Sequence, residues 1–206
     1  MKKIFSILLF AFICPTYSQT NYSIVYDTDA IISKGISLHD DEKYDEAVIE
    51  FDKITSIDPK FLNAQYEKIL SLSALEKKTE LKVLLEELHS SNKMPEMPAL
   101  YTLYGSFLSD EKEYDTAEKI FSEGNKYLSN SSNFLYNYAL LYLRKKENQK
   151  CVDLLKRVIT NDPNHASSHY LLGLIAFDNG KITEGTLALM SYLIIAPLGQ
   201  NAEKQY

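Results

Sequence analysis

From about residue 28 onward, apolar side chains recur three and four positions apart. Tyr66, Ile69 and Leu72 form one such run, and Leu81, Leu85 and Leu88 form the next. Spacings of three and four put apolar groups on one face of a helix, so each run predicts an amphipathic helix. Breakers are scarce, with seven glycines and six prolines in 206 residues. Long helices joined by short turns are therefore expected, rather than many short strands.

The front of the chain follows a different pattern. Lys2 and Lys3 precede an unbroken apolar run from Ile4 to Ile13, and the small residues Thr16 and Ser18 follow. A charged start, a short apolar stretch and small residues before a cut are the order of a secretory signal peptide, here residues 1–18. The run falls well short of the roughly 20 residues needed to cross a bilayer. Residues 19–27 are then a linker. Lipid attachment at Cys14 is disfavoured, because bulky Ile13 precedes it where a small residue is required. Cleavage after Ser18 leaves Cys151 as the remaining cysteine, so no intrachain disulfide is expected. The expected location is the periplasm or cell envelope, or outside the cell. No later apolar run is long enough to span a membrane.

The helical segments repeat. Pro163 and Pro197 lie 34 residues apart, and Gly105 and Gly173 lie two such periods apart. Gly35, Leu38, Tyr44, Ala47, Phe51 and Pro59 form one ordered set. Gly105, Leu108, Tyr114, Ala117 and Phe121 repeat it. Ala139, Cys151 and Pro163, and then Gly173, Gly185 and Pro197, occupy the same places further on. A 34-residue period with these residues resembles the tetratricopeptide repeat. The resemblance implies an all-α, right-handed superhelical solenoid of about five antiparallel helix hairpins. Its units are residues 28–61, 62–97, 98–131, 132–165 and 166–199, with a short tail over 200–206. The second unit is degenerate. Ile69 and Leu81 stand where the other units carry small residues, and it runs two residues long. The small residues are expected to face one another where the helices cross (Gly35 on Ala47, Gly105 on Ala117, Ala139 on Cys151), with each closing proline ending a second helix.

The resemblance also implies a concave groove lined by the first helix of each unit. Carried over by position, the partner-binding residues are Ile32, Ile36, Tyr66, Leu70, Tyr136, Leu140, Arg144, Tyr170, Leu174 and Phe177. Thr102 and Ser106 fill the matching places in the third unit. An aliphatic, tyrosine-rich groove suits an amphipathic helix or an extended peptide. Self-association through the apolar last repeat is a further expectation.

Charge and motifs narrow the function by exclusion. A formal charge of −6 argues against nucleic acid, which demands clustered Lys and Arg. No phosphate-binding glycine loop and no nucleophile elbow occur in the sequence. His165 and His169 are spaced like metal ligands but lack further ligands beside them. The acidic run around Asp40, Asp41 and Glu42 lacks the order of a calcium loop. The expected protein is a non-catalytic interaction scaffold without cofactor or metal. The alternative is the repeat segment of a larger envelope protein with signalling or enzymatic parts.

Export makes one direct prediction. N-terminal sequencing of protein from the envelope fraction should begin at Gln19. An intact Met1 on cytoplasmic protein would refute it.

Overall fold

The computed structural model describes residues 27–196. The signal peptide, Cys14, Pro197 and the tail lie outside the described residues. Ten α-helices follow in order: α1 (Thr28–Asp40), α2 (Tyr44–Phe51), α3 (Phe61–Ala74), α4 (Lys78–Ser90), α5 (Ala99–Asp110), α6 (Tyr114–Leu128), α7 (Ser132–Arg144), α8 (Asn148–Asn161), α9 (Ala166–Asp178) and α10 (Ile182–Ile195). A short 3-10 turn at Met94–Glu96 precedes α5. No strand occurs among the described residues. Consecutive helices pair as α1–α2, α3–α4, α5–α6, α7–α8 and α9–α10, and each pair stacks on the next. The chain is an all-α solenoid of helical hairpins.

Every hairpin turns in the same way. The second residue past the first helix adopts a positive φ: Glu42 at 61°, Glu76 at 54°, Lys112 at 65°, Lys146 at 60° and Gly180 at 73°. The next amide donates back to the first helix, as Lys43 to the Leu38 carbonyl and Glu113 to the Leu108 carbonyl. The positive-φ amide itself donates to a nearer carbonyl, as Glu42 to His39 and Lys112 to Ser109. This paired pattern satisfies carbonyls that the helix end leaves open. In four hairpins it places an ordinary side chain in the left-handed region.

The helix crossings refine the expected packing. Gly35, Gly105, Ala47, Ala117, Ala139, Cys151 and Gly173 are all buried. The nearest neighbour of the missing Cβ, however, is not the small residue across the hairpin. A Cβ on Gly35 would stand 2.4 Å from the Phe51 ring, and one on Gly105 would stand 2.8 Å from the Phe121 ring. At Gly173 the obstacle is Leu189, with the Gly185 carbonyl behind it at 3.3 Å. The glycine therefore makes room for the large residue one turn beyond the facing small one. Both rings are completely buried.

One expectation on chain punctuation changes. Pro59 does not end α2, which stops at Phe51; Pro59 sits in an exposed turn before α3, where the Asp58 carboxylate accepts from the Lys60 amide at 2.8 Å. Pro163 does follow the end of α8 closely. In the second hairpin Ile69 and Leu81 are both buried, and α3 and α4 approach one another along less of their length than the other pairs do. The bulky pair at the crossing accounts for the wider separation.

Charged and aromatic groups lock neighbouring hairpins. Lys77 pairs with Asp45 at 2.7 Å, and Lys145 pairs with the equivalent Asp115 at 3.2 Å. The joint between the third and fourth hairpins is the most elaborate. Phe121 stacks on Tyr138 with ring centroids 5.0 Å apart, and Tyr138 stacks on Tyr142 at the same separation. The Tyr142 hydroxyl donates to Glu118 at 2.9 Å, and Lys145 reaches the same carboxylate at 2.5 Å. The Lys145 bond holds the Glu118 carboxyl below its ordinary pKa, against the opposing effect of burial. Burial, reinforced by Tyr138 and Glu118, pushes the Tyr142 hydroxyl far up. Cys151 is fully buried, which raises its thiol to about 11 and leaves it protonated and unreactive at neutral pH.

Two predictions arise from this packing. Gly105→Val should cost about 2 kcal/mol or more, because Phe121 cannot move away in a filled core. Phe121→Leu should recover part of that loss in the double variant, and an unchanged thermal midpoint for Gly105→Val would overturn the packing account. The second concerns acid. Glu118 has a lower pKa folded than unfolded, so its contribution is complete at neutral pH and vanishes as pH falls through the folded-state value. Glu118→Gln should lower stability at pH 7 by about 1 kcal/mol and flatten the acid limb of the stability curve. Denaturant melts across pH measure both.

Candidate interaction groove

The first helices of successive hairpins are neighbours, and side chains bridge them. His39 on α1 meets the Ser71 hydroxyl on α3 at 2.9 Å. Ser106 on α5 donates to Asn137 on α7 at 3.3 Å. Arg144 on α7 donates to the Ser109 hydroxyl at 2.7 Å and pairs with Asp110 at 2.6 Å, both on α5. These bridges tie α1 to α3 and α5 to α7, on the side of the solenoid where α9 follows.

The residues expected to line this face divide by how far they emerge. Ile32 is half-buried against Ala47 and Phe51, so most of it belongs to the core of the first hairpin. Tyr66 and Tyr136 are half-buried and pack on the main core. Leu70 and Leu140 are also half-buried, and Leu70 edges a small cavity of about 150 Å³ with Leu103 and Phe107. Thr102 is buried, and Ser106 is tied to Asn137, so the middle of the face is shallow and polar. Arg144 is exposed, yet its guanidinium is committed to Ser109 and Asp110. Ile36 stands at the margin of exposure at the other end.

The open apolar surface concentrates on α9. Tyr170 is 45% exposed, Leu174 39% and Phe177 38%. At spacings of four and three they form one stripe along the helix. Tyr170 leans on Tyr192 with centroids 5.2 Å apart, and the Phe177 ring lies over Gly185. Both rings are thus anchored to α10 on one side and free on the other. Tyr136 and Tyr170, at the same position of successive units, differ in surroundings. Tyr136 instead tilts against His165 at 4.9 Å.

At the opposite end the face is acidic. Glu67 on α3 lies near His39 and Asp40, and burial raises its pKa against the lowering effect of His39, with a smaller push from Asp40. Sequence reading missed Glu67, though it follows Tyr66 on the same helix. A second concavity of about 760 Å³ opens between α8 and α10 over α9. Val152, Ile159 and Leu172 line it, with Lys156 and Glu184 at its edges.

The two histidines spaced like ligands have structural partners. His165 caps α9, accepting from the Ser168 amide, and His169 donates to the Pro163 carbonyl at 2.9 Å. Among the described residues no group of three His, Cys, Asp or Glu side chains could hold a metal ion. Among the same residues no helix is long and apolar enough to cross a membrane.

Residues 110–191 match the family model described as anaphase-promoting complex, cyclosome, subunit 3. No match to a curated protein was found. Solved structures match over more of the chain. MamA residues 41 to the end from Desulfovibrio magneticus RS-1 superposes with a TM-score of 0.69 at 12% identity, covering 84% of this chain and 96% of that one. YrrB, described as a TPR protein with an unusual peptide-binding site, superposes with a TM-score of 0.62 at 17% identity, covering 84% of this chain and 90% of the other. With the repeated turn, the glycine–ring crossings and the stacked hairpins, these likenesses make the chain a tetratricopeptide-repeat solenoid in fold.

Proposed function

We propose that this protein is a non-catalytic scaffold of the cell envelope that holds an apolar segment of a partner protein against α7 and α9. The exposed stripe of Tyr170, Leu174 and Phe177 carries this reading. These residues lie on first helix α9, and the Tyr170 and Phe177 rings rest on α10. Anchored aromatic and aliphatic groups lose little side-chain freedom on binding, which favours them as contact points. Leu140 and Tyr136 extend the surface onto α7. Arg144 is held by Asp110, so recognition of a peptide carboxylate through that side chain is not part of the proposal. The peptide-binding site of YrrB is in keeping with this use of the fold. The export expected from the first 18 residues supports the envelope location.

A photo-crosslinking residue at position 174 should capture a polypeptide in envelope extract, and one at Lys119 on the opposite side of the solenoid should not. Tyr170→Ala and Leu174→Ala should each weaken the captured interaction about tenfold or more, with helicity unchanged by circular dichroism. Equal capture at both positions, or normal binding by both variants, would refute the groove. Loss of helicity in both would identify the pair as core.

A further inference from the structure

The second helix of each hairpin presents an outer stripe that remains exposed even when another hairpin follows. Counted from the small or substituted crossing residue, it falls two, five and nine positions on. On α2 it carries Ile49 and Asp52, with Ser56 just beyond the helix. On α4 it carries Val83, Glu86 and Ser90, and on α6 Lys119, Ser122 and Lys126. On α8 it carries Asp153, Lys156 and Thr160. All twelve are exposed, and ten of them are polar or charged, the exceptions being Ile49 and Val83. On α10 the same places hold Leu187, Met190 and Ile194, which are 61%, 54% and 77% exposed. A following repeat leaves these positions open in the four preceding hairpins, so stacking in sequence does not explain the substitution.

We infer that the outer face of α10 is a self-complementary interface through which two copies of this chain pair about a two-fold axis. Leu187, Met190 and Ile194 are spaced three and four apart, which is the seam of two helices packing knobs into holes. Thr183, Thr186 and Ser191 border the seam and are small enough to permit close approach. Within α10 the one charged residue is Glu184, near its start. In an antiparallel pair each Glu184 lies toward the uncharged end of the partner helix, and the two carboxylates stay apart. The chain as a whole carries net charge −6 and repels its own copy. The uncharged stripe is where two copies meet without like charges opposed. An isologous contact uses the same patch twice, which one apolar stripe satisfies. The groove on α7 and α9 faces away from this seam and remains open in the pair.

Sedimentation of the isolated chain from about 1 to about 100 µM, a range that brackets micromolar association, should show mass rising from monomer to a plateau at twice that value. Met190→Glu and Met190→Lys should each hold the mass at monomer with circular dichroism unchanged. Met190 lies at the centre of the stripe, so an antiparallel pair sets the two substituted residues close together. Mixing the Glu and Lys variants should therefore restore the dimer. Glu86→Lys at the equivalent place on α4 and Tyr170→Ala in the groove should leave the mass as in the unaltered chain. A monomer throughout the range would overturn the proposal, as would dimers indifferent to both Met190 variants. A mass climbing without plateau, or a mixture that stays monomeric, would overturn the two-fold geometry.

Discussion

The solenoid depends on a small residue on the first helix of a hairpin making room for a large one on the second, as at Gly35 and Phe51, Gly105 and Phe121, and Gly173 and Leu189. In the first and third hairpins the ring fills the space where a Cβ would stand, which brings the two helix axes close and fixes their register. Once the register is fixed, the partner small residue, the leucines around it and the turn fall into place. The same placement aligns Lys77 with Asp45 and Lys145 with Asp115 across successive units. A single steric condition, met within a hairpin, thus propagates into the spacing of charges on the surface. Where it is not met, as at Ile69 and Leu81, the helices separate but the stack continues, because large apolar residues still fill the gap.

The two faces of the array serve different physical ends. The side built by the first helices is drawn together by polar bridges in its middle and opens into a stripe of apolar surface at α9. The outer side of the second helices is mostly polar over four hairpins and turns apolar at α10. Both changes occur in the last hairpin. Its packing also differs, with Leu189 in place of the ring and two glycines at the crossing. There the Phe177 ring lies over Gly185 and stays 38% exposed.

Much of the architecture was legible in the sequence because small residues at a crossing tolerate few substitutes. The pattern of Gly35, Ala47 and Phe51, repeated at Gly105, Ala117 and Phe121, revealed the hairpin and its period. The groove was less legible. Ile32 and Tyr170 occupy the same position in their units, yet Ile32 packs half-buried on the core of its hairpin and Tyr170 is 45% exposed, since a small rotation of a helix decides between them. Arg144 looked available by type, but its partners Asp110 and Ser109 lie on α5, a full repeat away, and cannot be read from local pattern. Pro59 was misread because its rigid ring marks a turn without saying which helix end it serves. The positive-φ residues carried a usable signal that was missed: Glu42, Glu76, Lys112, Lys146 and Gly180 recur at close to the repeat period.

Those turns have a consequence for how the protein becomes ordered. A charged side chain at positive φ costs about 1 kcal/mol relative to glycine, and four of the five hairpins bear it. A lone hairpin has little buried surface to offset that cost, whereas a stacked one has its neighbours. Nascent hairpins bearing Glu42, Glu76, Lys112 or Lys146 are therefore poor nuclei, and order spreads by addition to a hairpin already formed. The hairpin turning at Gly180 is exempt from this handicap, so the local bias of the chain favours initiation in the one of the five that is synthesised last.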